Sequence, residues 1–311
     1  MKKIAYLLLF IAVFVLLLAL SSRFFEPKNN IKEQGIENVK ANGILGEEPN
    51  TIEVLVIGDS EAYSSISPMQ IYQDKGYTTY VCATSAQFLF ESNNYLNKTL
   101  KSQKPKVVIL ETNCIFREFS LGNKIAFSIA NYFSVFKYHD LWKKLNINNF
   151  TKKIDYTYTD DYKGFYLNKE IVPSKKTNHM KYTDQVKKIP KTNLTVLNDI
   201  IKTCNNNDIK LLLLSTPSTV NWNYKKHNAI KKFALENSIE YIDLNLKNLK
   251  INWYEDTRDA GDHMNYNGAM KVTNYVSTYL EQLNILNDYR GGKLSKWDHS
   301  LEKYLKETSL L

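Results

Sequence analysis

The stretch Ile52-Glu-Val-Leu-Val-Ile-Gly-Asp-Ser60 is a short run rich in β-branched residues that breaks into Gly58-Asp59-Ser60. Val and Ile are stiff at χ1 and suit a pleated strand, and an apolar run of this length without alternation fits a strand buried on both faces. Gly58 permits a sharp turn, while Asp59 and Ser60 are residues of turns and helix caps. A buried strand leading directly into a helix is the expectation. Similar runs follow at Tyr77-Thr-Thr-Tyr-Val-Cys82, Lys106-Val-Val-Ile-Leu-Glu111, Ile209-Lys-Leu-Leu-Leu-Leu-Ser215 and Ile239-Glu-Tyr-Ile-Asp243. Residues 92–102, 194–205 and 225–237 carry helical periodicity between them. Strands alternating with helices require crossover connections, so the expected fold is α/β: a three-layer sandwich with a central parallel sheet, flavodoxin-like in plan.

Upstream, Ile4 to Leu20 is uninterrupted by charge and long enough as a helix to cross most of the roughly 30 Å of bilayer hydrocarbon. Lys2 and Lys3 precede it, which by the positive-inside rule leaves the N-terminus in the cytoplasm and the remainder outside. Ala19 and Ser21 are small enough for cleavage after Ser21, but the Leu-rich run is heavier than a typical cleaved signal and reads as a retained anchor. The expected organisation is a transmembrane anchor at 1–24, a polar linker at 25–50, a catalytic domain at 51–285 and a C-terminal tail at 286–311. Within the domain, residues 117–191 break the strand-helix alternation and read as an insertion, with a helix from Leu121 to Leu145 and then a Tyr- and Lys-rich stretch. Open α/β sheets bind ligands at the carboxyl ends of their strands, and the insertion is expected there; its aromatics suit either stacking on sugars or packing on the core.

The formal net charge is +9, but Lys and Arg are scattered among Asp and Glu with no basic stripe interleaved with aromatics, which argues against nucleic acid. Cys82, Cys114 and Cys204 are far apart and in no metal-ligand spacing; each adjoins an apolar run and reads as a small buried residue. No cofactor and no metal site are expected.

A serine hydroxyl is a weak nucleophile at neutral pH and needs an oriented base and donors for the developing oxyanion. Ser60, at the end of the first strand, is the candidate nucleophile. Gly-Asp-Ser alone is a common turn, so the second signal matters: Asp259-Ala-Gly-Asp-His263-Met-Asn-Tyr-Asn-Gly268 places a His after closely spaced carboxylates. His263 is the candidate base, with Asp259 or Asp262 as the acid that holds its second ring nitrogen. Metal binding there lacks a nearby second His or Cys, since His179 and His227 stand apart in sequence.

These blocks resemble the SGNH (GDSL) hydrolase superfamily, within it the exported branch associated with membrane-bound O-acyltransferases. Gly58-Asp59-Ser60-Glu61 with Ile66-Ser-Pro68 is similar to the nucleophile block. Cys82-Ala-Thr-Ser85-Ala-Gln87 stands where the second block supplies a backbone oxyanion donor, Glu111-Thr-Asn113 where the third supplies an Asn side chain, and Asp259 to His263 where the last supplies acid and base. The second block lacks its usual Gly, so Ser85 is taken as the donor. The residue three before the His, where the family keeps its acid, is Ala260; Asp259 is preferred over the adjacent Asp262 because a residue further back can fold alongside the ring. The resemblance covers roughly residues 51–283, with 117–191 poorly matched. It implies an acyl-serine intermediate and O-acyl transfer, acetyl foremost, to an extracellular polysaccharide, with a membrane-bound O-acyltransferase as donor partner. An esterase removing O-acetyl groups and an inactive glycan-binding scaffold are the alternatives.

Overall fold

The computed structural model describes residues 1–309. In chain order its helices are α1 (Lys2–Phe25), α2 (Val39–Asn42), α3 (Ser60–Ser65), α4 (Pro68–Lys75), α5 (Leu89–Thr99), α6 (Leu121–Tyr132), α7 (Ser134–Tyr138), α8 (Lys191–Asn206), α9 (Tyr224–Glu236), α10 (Tyr266–Gln282) and α11 (Ser295–Thr308). Its strands are β1 (Val54–Gly58), β2 (Thr79–Ala83), β3 (Val107–Glu111), β4 (Lys210–Ser215), β5 (Glu240–Asp243), β6 (Thr257–Arg258) and β7 (His263–Met264). The chain groups into two units, Met1–Val39 with Phe119–Tyr158, and Lys40–Glu118 with the residues from Thr159 onward.

The second unit carries a parallel sheet in the order β2-β1-β3-β4-β5, with Val54 paired to Thr79 on one side and to Val107 on the other. The parallel-sheet α/β expectation is met. Val54, Val56, Val107, Ile109, Leu212 and Leu214 alternate along their strands and pack with Ala62 of α3, with Ile66 just after it, and with Val272, Val276 and Leu280 of α10. The intervening Leu55, Ile57, Val108, Leu110 and Leu213 are equally buried and face the other side, where α5 packs on β1 and against α8. Both faces are covered, which is why these strands read as continuous apolar runs. Chain order reverses between β1 and β3, and the crevice at such a switch point is where open α/β sheets place their chemistry.

Residues 25–50, expected as a linker, divide between the units. Ala41, Ile44 and Glu47 are buried in the second, where Glu47 pairs with the buried Lys163 at 2.9 Å and accepts a 2.9 Å hydrogen bond from Trp297 Nε1. The C-terminal segment docks through α11, whose Trp297 and Tyr304 are buried, with Trp297 5.2 Å from the ring of Tyr72. Residues 117–191 also divide. Phe119–Tyr158 belong to the first unit, while the rest, including buried Lys163 and Phe165, belong to the second. The helix expected from Leu121 to Leu145 stops at Phe133, which adopts φ −109° and ψ 95°, and resumes as the short α7.

In the first unit α1 is exposed on every side through Leu17 and becomes partly covered from Leu18. Phe150 meets Phe24 at 4.9 Å, and Asp155 N–H donates to Lys28 O at 2.8 Å.

Gly58 is required by close approach, because a Cβ there would stand 2.7 Å from Glu111 Cβ and 3.2 Å from Ala62 Cβ. Gly58→Ala is expected to lower stability by about 1–3 kcal/mol, the range of an overpacked core site, as read by urea unfolding of the detergent-solubilised chain.

Candidate active site

The last residue of β1 leads into Asp59, which caps α3 by accepting from Glu61 N–H at 3.1 Å. Ser60 is the first residue of that helix and half-buried. Asp59 is fully buried; it also accepts from Asn113 Nδ2 at 3.0 Å and pairs with Arg117 Nη2 at 3.5 Å. Asn113 follows β3. Its backbone N–H donates to Glu111 Oε2 at 3.0 Å and its Oδ1 accepts from Lys226 Nζ at 3.0 Å. A carboxylate on one side of the amide and an ammonium on the other fix its orientation and leave the second Nδ2–H uncommitted.

β6 and β7 form a hairpin that pairs Arg258 with His263, and β7 packs on α3. In its connecting turn Asp259, Ala260 and Gly261 all take left-handed φ, at +54°, +55° and +90°. For Asp and Ala this costs roughly 1–2 kcal/mol each. The turn is held by the segment after β4: Thr219 N–H donates to Gly261 O at 2.9 Å and Ser218 Oγ to Asp262 O at 2.8 Å. A Cβ on Gly261 would meet Thr219 Oγ1 at 2.2 Å, so only glycine fits there.

This turn bears on the choice between the two aspartates. Curling left-handed, it returns Asp259 to the ring, with Oδ2 3.0 Å from His263 Nδ1, while Asp262 Oδ2 lies at 3.9 Å. Arg258 steadies the same carboxylate, donating from Nη1 at 2.6 Å and from Nη2 to Ser64 Oγ of α3 at 2.8 Å. In the tautomer whose Nδ1–H donates to Asp259, Nε2 is a bare acceptor; it is buried and has no hydrogen-bond partner. That is the state a general base requires.

Ser85 lies in the exposed turn after β2 and its side chain bonds Tyr63 of α3. The glycine-like conformation in this turn belongs to its neighbour Ala86, at φ +51°. Ser60, Asn113, Asp259, Asp262 and His263 are thus carried by the β1 and β3 ends and the hairpin on α3, with Ser85 in the next turn.

Several residues of the site carried no recognisable signal in the sequence. Glu61 is fully buried, and its Oε1 accepts from Asn221 Nδ2 at 2.7 Å while Oε2 has no partner. Asn221 Nδ2 also donates to Asp262. Burial pushes the Glu61 carboxyl well above the usual range, reinforced by the nearby Glu111 and Asp59. Burial raises Glu111 likewise, and also Asp59, where the Glu61 N–H, Arg117 and Asn113 oppose it. Burial lowers Lys226, against the pull of Glu111, Asp59 and Glu61. In the sequence Glu111 stands only as the start of the Glu111-Thr-Asn113 block, and Asn221, in the Val-Asn-Trp segment, carries no mark at all.

Glu61, Asp262 and His263 also bring ligand atoms within 4.8 Å of one another, a spacing a divalent cation uses. The Asn221 amide already bridges the two carboxyls, and burial disfavours the ionised form of Glu61 that a cation would need; the set fits a hydrogen-bonded cluster better than a metal site. His227, isolated in sequence, pairs with Asp243 at 2.8 Å, but the same oxygen takes Trp222 Nε1 at 2.9 Å, and Ser215 reaches this cluster only through Tyr241 at 3.0 Å. It is a buried polar network with no nucleophile on the imidazole.

No family model matches the chain, and no curated protein matches it. Among solved structures the chain is similar to a GDSL-like lipase from Bacteroides thetaiotaomicron (10% identity, 78% of this chain and 95% of that one, TM-score 0.38). It is also similar to a psychrotrophic esterase from Pseudoalteromonas sp. (8%, 75% and 98%, TM-score 0.39) and to an acetyl xylan esterase (16%, 75% and 100%, TM-score 0.38). At these values the likenesses add nothing to the strand order and side-chain geometry described above.

The raised Glu61 pKa has a thermodynamic signature. The unfolded chain ionises this carboxyl near pH 4.3 and the folded chain only at higher pH, so between the two the folded state binds more protons and loses stability as pH rises toward the folded pKa. Glu61→Gln, which mimics the protonated form, is expected to flatten the decline in urea midpoint between about pH 4 and 7. An unchanged slope would show that Glu61 ionises normally.

Proposed function

We propose that the protein is a serine-dependent acyl-transfer enzyme in which Ser60 is the nucleophile, His263 the base and Asp259 the acid. The reading rests on one observation above all: His263 holds Asp259 on Nδ1 and presents a buried, unpartnered Nε2 from a hairpin packed on the helix that Ser60 begins. In this mechanism Nε2 takes the Ser60 hydroxyl proton as Oγ bonds the acyl carbon. The tetrahedral oxyanion receives the free Nδ2–H of Asn113 and backbone N–H groups at Ser60 and Ser85. The imidazolium then returns its proton to the departing alkoxide, leaving acyl-Ser60. A second hydroxyl gives its proton to Nε2, attacks the acyl carbon and releases Ser60. Asp259 stabilises the imidazolium throughout, and Asp262, at the longer distance and bonded to Asn221, plays a positioning part.

The finer reading is O-acyl transfer, acetyl foremost, to a hydroxyl of an extracellular polysaccharide. Two things support it: the kinship of the sequence blocks, and the apolar α1, which opens on Lys2 and Lys3, read as a membrane anchor that leaves the second unit outside the cell. A membrane-bound O-acyltransferase would supply the acyl group. Hydrolysis is the same chemistry with water as second acceptor.

With a chromogenic acetyl ester, Ser60→Ala and His263→Ala should each lower kcat by about 10⁴-fold or more, and Asp259→Asn by about 10⁴-fold. Asp262→Asn should retain most of the rate. Equal losses for both aspartate variants would remove Asp259 from its assigned role.

The acceptor is tested by incubating the enzyme with an acetylated glycan, with and without acceptor oligosaccharide, and following the acetyl group by mass spectrometry. Acetylated acceptor is the expected product. Free acetate regardless of acceptor would make the protein an esterase, and absence of both products and of any Ser60 adduct with a sulfonyl fluoride would make it a binding scaffold.

A further inference from the structure

The first unit contains a segment that buries almost nothing. None of the residues of α6, of α7 or of the 3₁₀ turns that follow to Phe150 is buried, although the stretch is rich in large apolar side chains. On α6, Leu121, Ile125 and Ile129 recur every fourth residue and are 63%, 51% and 45% exposed; Tyr132 lies in line with them, and Phe136 and Trp142 follow, at 49% and 62%. A stripe at this spacing needs an apolar surface to cover it.

We propose that residues 121–144 lie in the plane of the outer headgroup region of the membrane that α1 crosses, as a second, in-plane attachment to lipid. The inference rests on the reading of α1 as an anchor. α7 packs on α1, which is bare through Leu17 and covered only from Leu18. At 1.5 Å per residue the stretch from Ile4 to Leu20 spans about 25 Å, so the covered turns fall at the outer boundary of the hydrocarbon. Residues 119–158 carry six Lys against two Asp, a balance that favours anionic lipid headgroups. Trp142 stands beside Lys143 and Lys144, the pairing of amphipathic ring and long cation found at bilayer interfaces. A short amphipathic helix with an apolar stripe and basic flanks is built to lie on such a surface rather than span it.

The test uses the full chain in vesicles of phosphatidylcholine and phosphatidylglycerol that hold no other protein. Cys82, Cys114 and Cys204 are all buried, so a single surface thiol can be labelled with an environment-sensitive fluorophore. Three variants are compared: Ile125→Cys on the stripe, Asn123→Cys on the opposite side of α6, and Leu9→Cys inside α1. Lipids carrying a spin-label quencher near the headgroup should strip most of the emission from residue 125, with a blue shift, and leave residue 123 close to its value in water. If residue 125 behaves like residue 123 while residue 9 is quenched, the in-plane attachment is wrong and the anchor stands; the stripe then belongs to a protein partner. If residue 9 is unquenched as well, the anchor reading fails and takes this one with it.

Discussion

The buried carboxylate of Asp59 is the constraint on which the site depends. A carboxylate removed from water must be met by donors, and three converge on it: the Glu61 N–H, the Asn113 amide and the Arg117 guanidinium. Through these bonds one side chain caps α3, orients the candidate oxyanion donor after β3, and ties the two strand ends on either side of the switch point. Gly58, just before it, lets β1 come close enough to Glu111 for the arrangement to close.

Opposite this fixed edge stands the hairpin, whose turn is strained where Asp59 is relaxed. Two non-glycine residues in left-handed conformation persist because the segment after β4 bonds the turn's carbonyls from outside and Arg258 ties its carboxylate to α3. The strain has a geometric use. It brings an acid four residues before the His onto the ring nitrogen, a spacing that an ordinary turn would not serve. Between edge and hairpin, the Asn221 amide joins the buried Glu61 carboxyl to Asp262 beside the imidazole.

The lysine-rich, aromatic interval after β3 illustrates how composition alone misleads. Read along the sequence, residues 117–191 formed one insertion near the strand ends. In space Phe119–Tyr158 join the first unit and the remainder the second, where Tyr166 lies 5.9 Å from Tyr63 and beneath Arg258. Side chains from one Tyr- and Lys-rich stretch therefore serve different surfaces, one in the first unit, the other beside the site.

Strand positions, the parallel sheet, the apolar N-terminal helix and the presence of Ser60, Asn113 and His263 at chain positions suited to chemistry were legible in the sequence, because local apolar runs and turn residues are nearest-neighbour properties. Which aspartate meets His263 was not legible, since it depends on three backbone dihedrals held by Ser218 and Thr219 from a distant loop. Nor were Glu61, Asn221 and Arg258 as members of the site, nor the burial of Glu47 against Lys163 and Trp297. Their roles arise from contacts between segments far apart in the chain, and burial decides whether such a polar side chain is a solvated surface group or an oriented part of the site.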